Sequence, residues 1–200
     1  MRSVTRSQLI ARVGKQALAL AEPGGLRPRA TAKQVAATEK ALGFPLHELH
    51  RELLLRVANG GFGFGVGGLF GVGTVPRGEE SCLAVWRKLG GNDPSAMPAE
   101  TVPVADMGCA TWVLLHAPSG VMRQATEDGF YELEQDITDF VTAWLDGREV
   151  HDMLHDQARA PVREFINPFT KKRMRYVGQG PPLGRLILPN KLARKHPSGV

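Results

Sequence analysis

Residues 31–61 read TAKQVAATEKALGFPLHELHRELLLRVANGG, two helices with the signals that stop each of them. Thr31 suits a helix N-cap, the helix it opens runs to Leu42, and Gly43 supplies a residue that tolerates a left-handed C-terminal turn. Pro45 fits the first position of the next helix. There Leu46, Leu49, Leu53, Leu54 and Val57 form one apolar stripe, with Glu48, Arg51, Glu52 and Arg56 away from it. His47 and His50 share a face at i, i+3 and read as surface residues. Asn59-Gly60-Gly61 ends the helix.

Upstream, Val4 to Leu20 places Val4, Leu9, Ile10, Val13, Ala17, Leu18 and Leu20 at near-helical spacing between Arg and Lys, an amphipathic helix closed by the Pro/Gly-rich link 22–28. Downstream, residues 60–73 read GGFGFGVGGLFGVG. Gly63-x-Gly65-x-x-Gly68 matches the dinucleotide fingerprint in form, but a helix precedes it and no helix start follows, so the context rejects a phosphate loop. A glycine-rich strand pair with close backbone packing is expected instead.

Further on, Glu79 to Leu89 reads as a helix, Val102 to Ala105 and Thr111 to His116 as strands, and Ala117-Pro-Ser-Gly as a turn into Val121 to Ala125. A helix from about Asp136 turns Ile137, Phe140, Val141, Trp144 and Leu145 inward and stops at Gly147. Helices, then strands, then a helix predict an α+β fold, helices packed against a mostly antiparallel sheet. His151 to Ala158 could continue the last helix. The remainder, with Pro161, Pro168, Pro181, Pro182 and the run Lys171-Lys-Arg-Met-Arg, predicts an irregular basic C-terminal arm that lies over the domain or is partly disordered. The expected organisation is a basic N-terminal helix and linker over 1–30, one domain over 31–150 and a basic extension over 151–200.

The charge of +5 is unevenly spread. Residues 1–30 hold six Lys/Arg against one acid and residues 151–200 ten against three, whereas residues 31–150 hold nine against sixteen. An acidic domain with basic ends bears on partners rather than on fold. Two cysteines, Cys82 and Cys109, are too few for a disulfide scaffold, and no run is long enough for a secretory signal or a membrane span. A cytoplasmic protein is expected.

Strong catalytic signatures are missing from the chain: GxSxG, HExxH, a Walker loop and paired CxxC. Cys109 reads as a strand-edge thiol, not a nucleophile. His151 and His155 at i, i+4 could face one way as metal ligands do, but with no third ligand fixed beside them they read as solvated residues, and no metal or cofactor is expected. Lys171, Lys172, Arg173 and Arg175, with Phe165, Phe169 and Tyr176 nearby, are the nucleic-acid candidates, since cations neutralise phosphate and aromatics stack on bases. The competing reading folds this basic arm against the acidic domain. Residues 127–139 hold Glu127, Asp128, Glu132, Glu134, Asp136 and Asp139 without a Lys or Arg. Asp136 and Asp139 suit the helix they open, but six acids exceed what capping needs. An acidic face steers basic partners.

Four segments in order resemble the SUKH superfamily, which includes fungal cell-wall-assembly regulators and bacterial immunity proteins. They are Thr38-Glu39-Lys-Ala-Leu42-Gly43-Phe-Pro45-Leu46, Leu53-Leu54-Leu55-Arg-Val-Ala-Asn59-Gly60-Gly61, Val104-Ala-Asp106-Met-Gly108 with the Ser119-Gly120 turn, and Asp139-Phe140-Val-Thr-Ala-Trp144-Leu145. The resemblance covers roughly residues 31–148 and departs at Phe44, where the family commonly has Leu. It implies the same α+β fold, no enzymatic activity, and structural roles for Leu46, Asn59, Gly60, Asp106 and Gly108. It further implies a partner of the cognate-toxin type, often a nuclease, neutralised by steric and electrostatic blockade. A regulatory scaffold of the same fold and a nucleic-acid binder acting through the basic ends are the alternatives.

Overall fold

Thr5 and Thr31 open the first two helices with the same device. In the computed structural model, which describes residues 5–22, 25–75, 80–160, 162–166, 171–178 and 180–189, each Thr hydroxyl accepts from the backbone N–H three residues on. Gln8 and Gln34 return the bond to the Thr backbone at 2.8 Å each. These reciprocal caps satisfy amides that the first turn would leave unpaired. Helix α1 (Arg6–Leu20) buries Leu9, Ile10, Val13 and Ala17, and α2 (Ala32–Leu42) ends at Gly43 with φ +84° as expected. The expected helix at Pro45 starts three residues later, as α3 (Glu48–Arg56). The reason is local: the Leu46 amide is held by Glu39 Oε1 at 3.1 Å, which keeps residues 43–47 as a link between the two helices. Leu46 is nonetheless buried beside the stripe residues Leu49, Leu53 and Leu54.

The expected helix start at Glu79 lies outside the described residues. That helix, α4, runs Cys82–Lys88 under a Ser81 cap. The glycine-rich segment does not form the expected strand pair. It folds as a string of bends bound to the first strand, with Phe70 N–H donating to Val104 O at 2.8 Å and single bridges joining Leu69 to Ala105 and Gly71 to Ser81. Its glycines turn the chain too often for a ladder to propagate.

Four strands follow as an antiparallel meander: β1 (Thr101–Gly108), β2 (Thr111–His116), β3 (Val121–Ala125) and β4 (Gly129–Asp136). The β1–β2 turn is fixed by Asp106 Oδ1, which accepts from Gly108 N–H at 2.7 Å, and by positive φ at Gly108, Cys109 and Ala110. Helix α5 (Ile137–Leu145) leaves β4 directly, capped by Asp136. It does not continue into residues 151–158. Gly147, at φ +69°, and Arg148 donate back to Trp144 O and Ala143 O, the double closure that ends a helix at a left-handed glycine. Two short 3-10 turns, Val150–Met153 and Gln157–Arg159, come next.

The arm expected to be irregular is built of strands. β5 (Val162–Ile166) and β6 (Arg173–Val177) pair as a separate ribbon, and β7 (Arg185–Pro189) joins β4 as the fifth strand of the main sheet. The reason lies in the sheet's interior. Successive residues of β2 and β3 are buried, so both faces of the sheet are covered. Gln124, fully buried on β3, donates to Leu154 O and Leu183 O at 2.8 Å each, which draws the chain after α5 over the sheet and into register with β4. The core thus takes side chains from α1 near the start of the chain to Leu154, with Leu183, Ile187 and Leu188 packed on its edge. Among the described residues no helix is long and apolar enough to cross a membrane.

Candidate functional site

Of the residues quoted for the resemblance, Asn59, Gly60, Asp106 and Gly108 meet the glycine-rich loop, whereas Leu46 lies in the link between α2 and α3. Asn59 closes α3 and turns its amide onto Val72, donating to Val72 O at 2.9 Å and accepting from Val72 N–H at 2.8 Å. A side-chain amide here does the work of a paired strand. Gly60, at φ +77°, lies so close to the returning chain that a Cβ would stand 2.6 Å from Gly71 N and Leu69 O. At the far end of the loop a Cβ on Gly65 would meet Asp106 O at 2.7 Å, and Val66 N–H donates to that same carbonyl. Phe64 points inward, its ring edge-on to Phe140 with centroids 5.5 Å apart. The loop is therefore pinned at its base by Asn59, in its middle by Phe64, and at its tip by the backbone of Asp106.

Pinning these points leaves Val66 outside. It is 69% exposed at the tip, and a groove of about 580 Å³ runs beside it, lined by Leu20, Phe64, Val66, Met107, Trp144 and Val150 among others. Leu20, at the end of α1, also lines the groove and is 62% exposed. Isolated exposed apolar residues are ordinary; here two of them, Leu20 and Val66, border one concavity together with the half-buried Met107 and Trp144, which makes it a candidate contact surface. Sequence reading placed Trp144 inward and gave Val66 no role. The signal was a β-branched residue set between glycines, where turn chemistry alone would favour another small or polar residue.

The six acids of residues 127–139 separate into two groups. Glu132 is enclosed by cations: Arg123, itself buried, reaches its Oε2 at 2.9 Å, and Arg185 reaches Oε1 at 3.1 Å. The hydrogen bond from Arg123 holds the Glu132 carboxyl below the usual carboxylate range. Asp136 Oδ1 accepts from Thr138 N–H and Asp139 N–H at 2.7 and 3.0 Å, and Asp139 Oδ2 accepts from Asp136 N–H at 3.0 Å, so this pair caps α5. Glu127, Asp128 and Glu134 are exposed and carry no ion pair among the described residues. Glu127 and Asp128 sit in the β3–β4 turn, which the meander brings to the same end of the sheet as the β1–β2 turn and the Val66 tip.

The basic arm divides as well. Arg185 does fold against the acidic stretch, through Glu132. Lys171, Lys172, Arg173 and Arg175 are exposed on and before β6, and of these only Arg173 has an ion pair among the described residues, to Glu164 of the same ribbon at 3.5 Å. Phe165 and Tyr176 occupy paired strands of that ribbon, and Phe169 lies outside the described residues.

The histidines depart from the surface reading. His50 is completely buried, neither ring nitrogen has a hydrogen-bond partner, and burial pushes its pKa down to about 4. His47 stands at the N-cap of α3 against Gly120, with its Nδ1 also buried and unpartnered. His155 is buried too: its Nδ1 lies 3.0 Å from Gly180 O, and its ring stacks on His151 with centroids 4.9 Å apart. Sequence spacing correctly made that pair neighbours, but they splice the arm to the domain rather than face solvent. Among the described residues no group of three or more potential ligands could hold a metal ion. Cys109 is exposed in the β1–β2 turn, and Cys82 is fully buried, its thiol pushed up to about 12 by desolvation.

No family model matches the chain, and no curated protein or solved structure matches it either.

Proposed function

We propose that this chain is a non-enzymatic protein-binding module of the immunity type, which neutralises a basic partner such as a nuclease toxin domain by covering it. The observation that carries the reading is the placement of a largely apolar groove with the Val66 tip and an exposed acidic turn, Glu127 and Asp128, at one end of the same sheet. Strands β1 and β4 are three spacings apart, about 14 Å. A standard interface of about 800 Å² on each partner, roughly 30 Å across, takes in both. The apolar centre would supply affinity by exclusion of water, and the acids would speed encounter with a cationic surface. The motif residues Asn59, Gly60, Asp106 and Gly108 would act through the loop they hold, not by touching a substrate. The free thiols of Cys82 and Cys109 suit a cytoplasmic setting.

The test is affinity capture from host lysate with the wild-type chain, Val66→Asp, and Glu127→Lys combined with Asp128→Lys. One basic protein should be retained by the wild type, lost with Val66→Asp, and bound more slowly by the double reversal. The same set of proteins on all three would sink the reading. An acidic or neutral partner lost with Val66→Asp but indifferent to the charge reversal would instead favour a regulatory scaffold.

A further inference from the structure

Among the described helices and strands, β5 and β6 pack chiefly on each other. Their register pairs Val162 with Val177, Glu164 with Arg175, Phe165 with Met174 and Ile166 with Arg173, so that Glu164, Ile166, Arg173 and Arg175 share one face and Met174 lies on the other. Ile166 is 65% exposed on the first face and Met174 43% on the second, so water reaches both. An isolated two-stranded ribbon is at best marginally stable in water and has little to gain from exposed apolar side chains unless something docks on it. Its charge shows what. Arg163, Lys171, Lys172, Arg173 and Arg175 stand against Glu164 alone, beside a domain in which residues 31–150 carry sixteen acids and nine cations. Arg185, a few residues on, pairs with Glu132 of that domain, whereas of Lys171, Lys172, Arg173 and Arg175 only Arg173 has an ion pair among the described residues, to the ribbon's own Glu164.

We infer that the ribbon is a grip for the phosphate backbone of double-stranded nucleic acid, a function separate from the protein-binding groove. Arg173 and Arg175 alternate along one strand, which puts them about 7 Å apart on one face, on the scale of successive phosphates. A two-stranded ribbon is also narrow enough to enter a major groove about 12 Å wide. An acidic protein would be steered by the same charges, but it would gain nothing from regular cation spacing on a narrow ribbon.

The experiment is fluorescence anisotropy of the full chain with a labelled 20-base-pair DNA duplex across a salt series. Each binding curve is repeated with poly-glutamate as competitor at equal charge. Four phosphate contacts predict a log–log salt slope near −3.6. Lys171→Glu with Lys172→Glu and Arg175→Glu should lose at least tenfold in affinity and flatten the slope by about three. Lys15→Glu with Lys33→Glu and Lys40→Glu carries the same net-charge change at exposed sites elsewhere, and it should retain most of the binding. Circular dichroism confirms that both triple variants are folded. Equal loss in the two variants, a wild-type slope near zero, or displacement by poly-glutamate as readily as by unlabelled duplex would each overturn the inference.

Discussion

Arg123 Nη2 donates to Glu132 Oε2 at 2.9 Å across the β3–β4 ladder, and the same guanidinium also reaches Ala99 O and the Thr101 hydroxyl. This arginine is buried, so its charge depends on that carboxylate. Glu132→Ala should cost about 2–3 kcal/mol, somewhat under the range for breaking a fully buried pair because Glu132 is partly open to water. Urea denaturation monitored by circular dichroism checks it. Glu127→Ala, in the exposed β3–β4 turn, should leave the urea midpoint unchanged.

The same pair sets part of the acid response. Glu132 has a folded pKa below its unfolded value, so its stabilisation is complete above the unfolded pKa of about 4.5 and is lost as pH falls through the folded value. His50 acts at higher pH. Its folded pKa of about 4 lies below the unfolded 6.5, so the unfolded chain binds the extra proton between those values and stability declines from pH 6.5 toward 4. The full shift is worth about 3 kcal/mol. His50→Leu should therefore be more stable than wild type at pH 5 and should flatten the pH dependence in that window, measured by thermal melts from pH 4 to 8. An unchanged pH profile in the variant would show that His50 does not titrate against burial.

How much of this was legible in the sequence follows from where the signals were local. The Thr31 cap, the Gly43 stop and the Asp136 cap are short-range devices read from neighbouring residues, and the structure has all three. The stripe Leu49, Leu53, Leu54 was legible because a helix repeats its face every 3.6 residues. His50 was misread because burial of a polar ring is decided by what packs over α3, and neither ring nitrogen gives a sequence trace. Strand β7 was missed for a related reason. Arg-Leu-Ile-Leu-Pro is short, lies between prolines, and becomes a strand only because β4 offers an edge some fifty residues earlier in the chain. The acidic run was legible as charge but not as two populations, since only the fold shows that Arg123 and Arg185 consume Glu132.

Removing residues 180–200 tests whether the arm belongs to the domain. The deletion strips β7 from β4 and takes Leu183 O from the Gln124 amide. It also takes Gly180 O from His155. Losing these bonds costs about 1 kcal/mol each, because the Gln124 amide keeps Leu154 O, and β4 becomes an uncovered edge. The shortened chain should unfold at a markedly lower temperature and aggregate on heating. A melting curve identical to that of the full chain would mean that β7 adds nothing to the sheet's stability.

Leu53→Ala provides the reference for a purely apolar loss. Leu53 is fully buried in α3, and its truncation should cost about 2–5 kcal/mol through the cavity left behind.

Asn59→Ala separates stability from presentation of the loop. Val72 is fully buried, and its N–H and C=O are both bonded by the Asn59 side chain, so the alanine leaves two backbone groups without those partners, at about 1–3 kcal/mol each. Because the loop is also held by Phe64 and by the Asp106 carbonyl, the chain should still fold, with the damage centred on the loop's base. Hydrogen exchange should accelerate first at Gly61, Leu69 and Val72, whose amides close the loop, while β2 and β3 remain protected. If the groove beside Val66 is the partner site, the same variant should weaken partner binding without any residue of the groove having been changed. Uniform acceleration across the sheet would instead place Asn59 in the folding core, and its effect on binding would then report only the loss of the folded state.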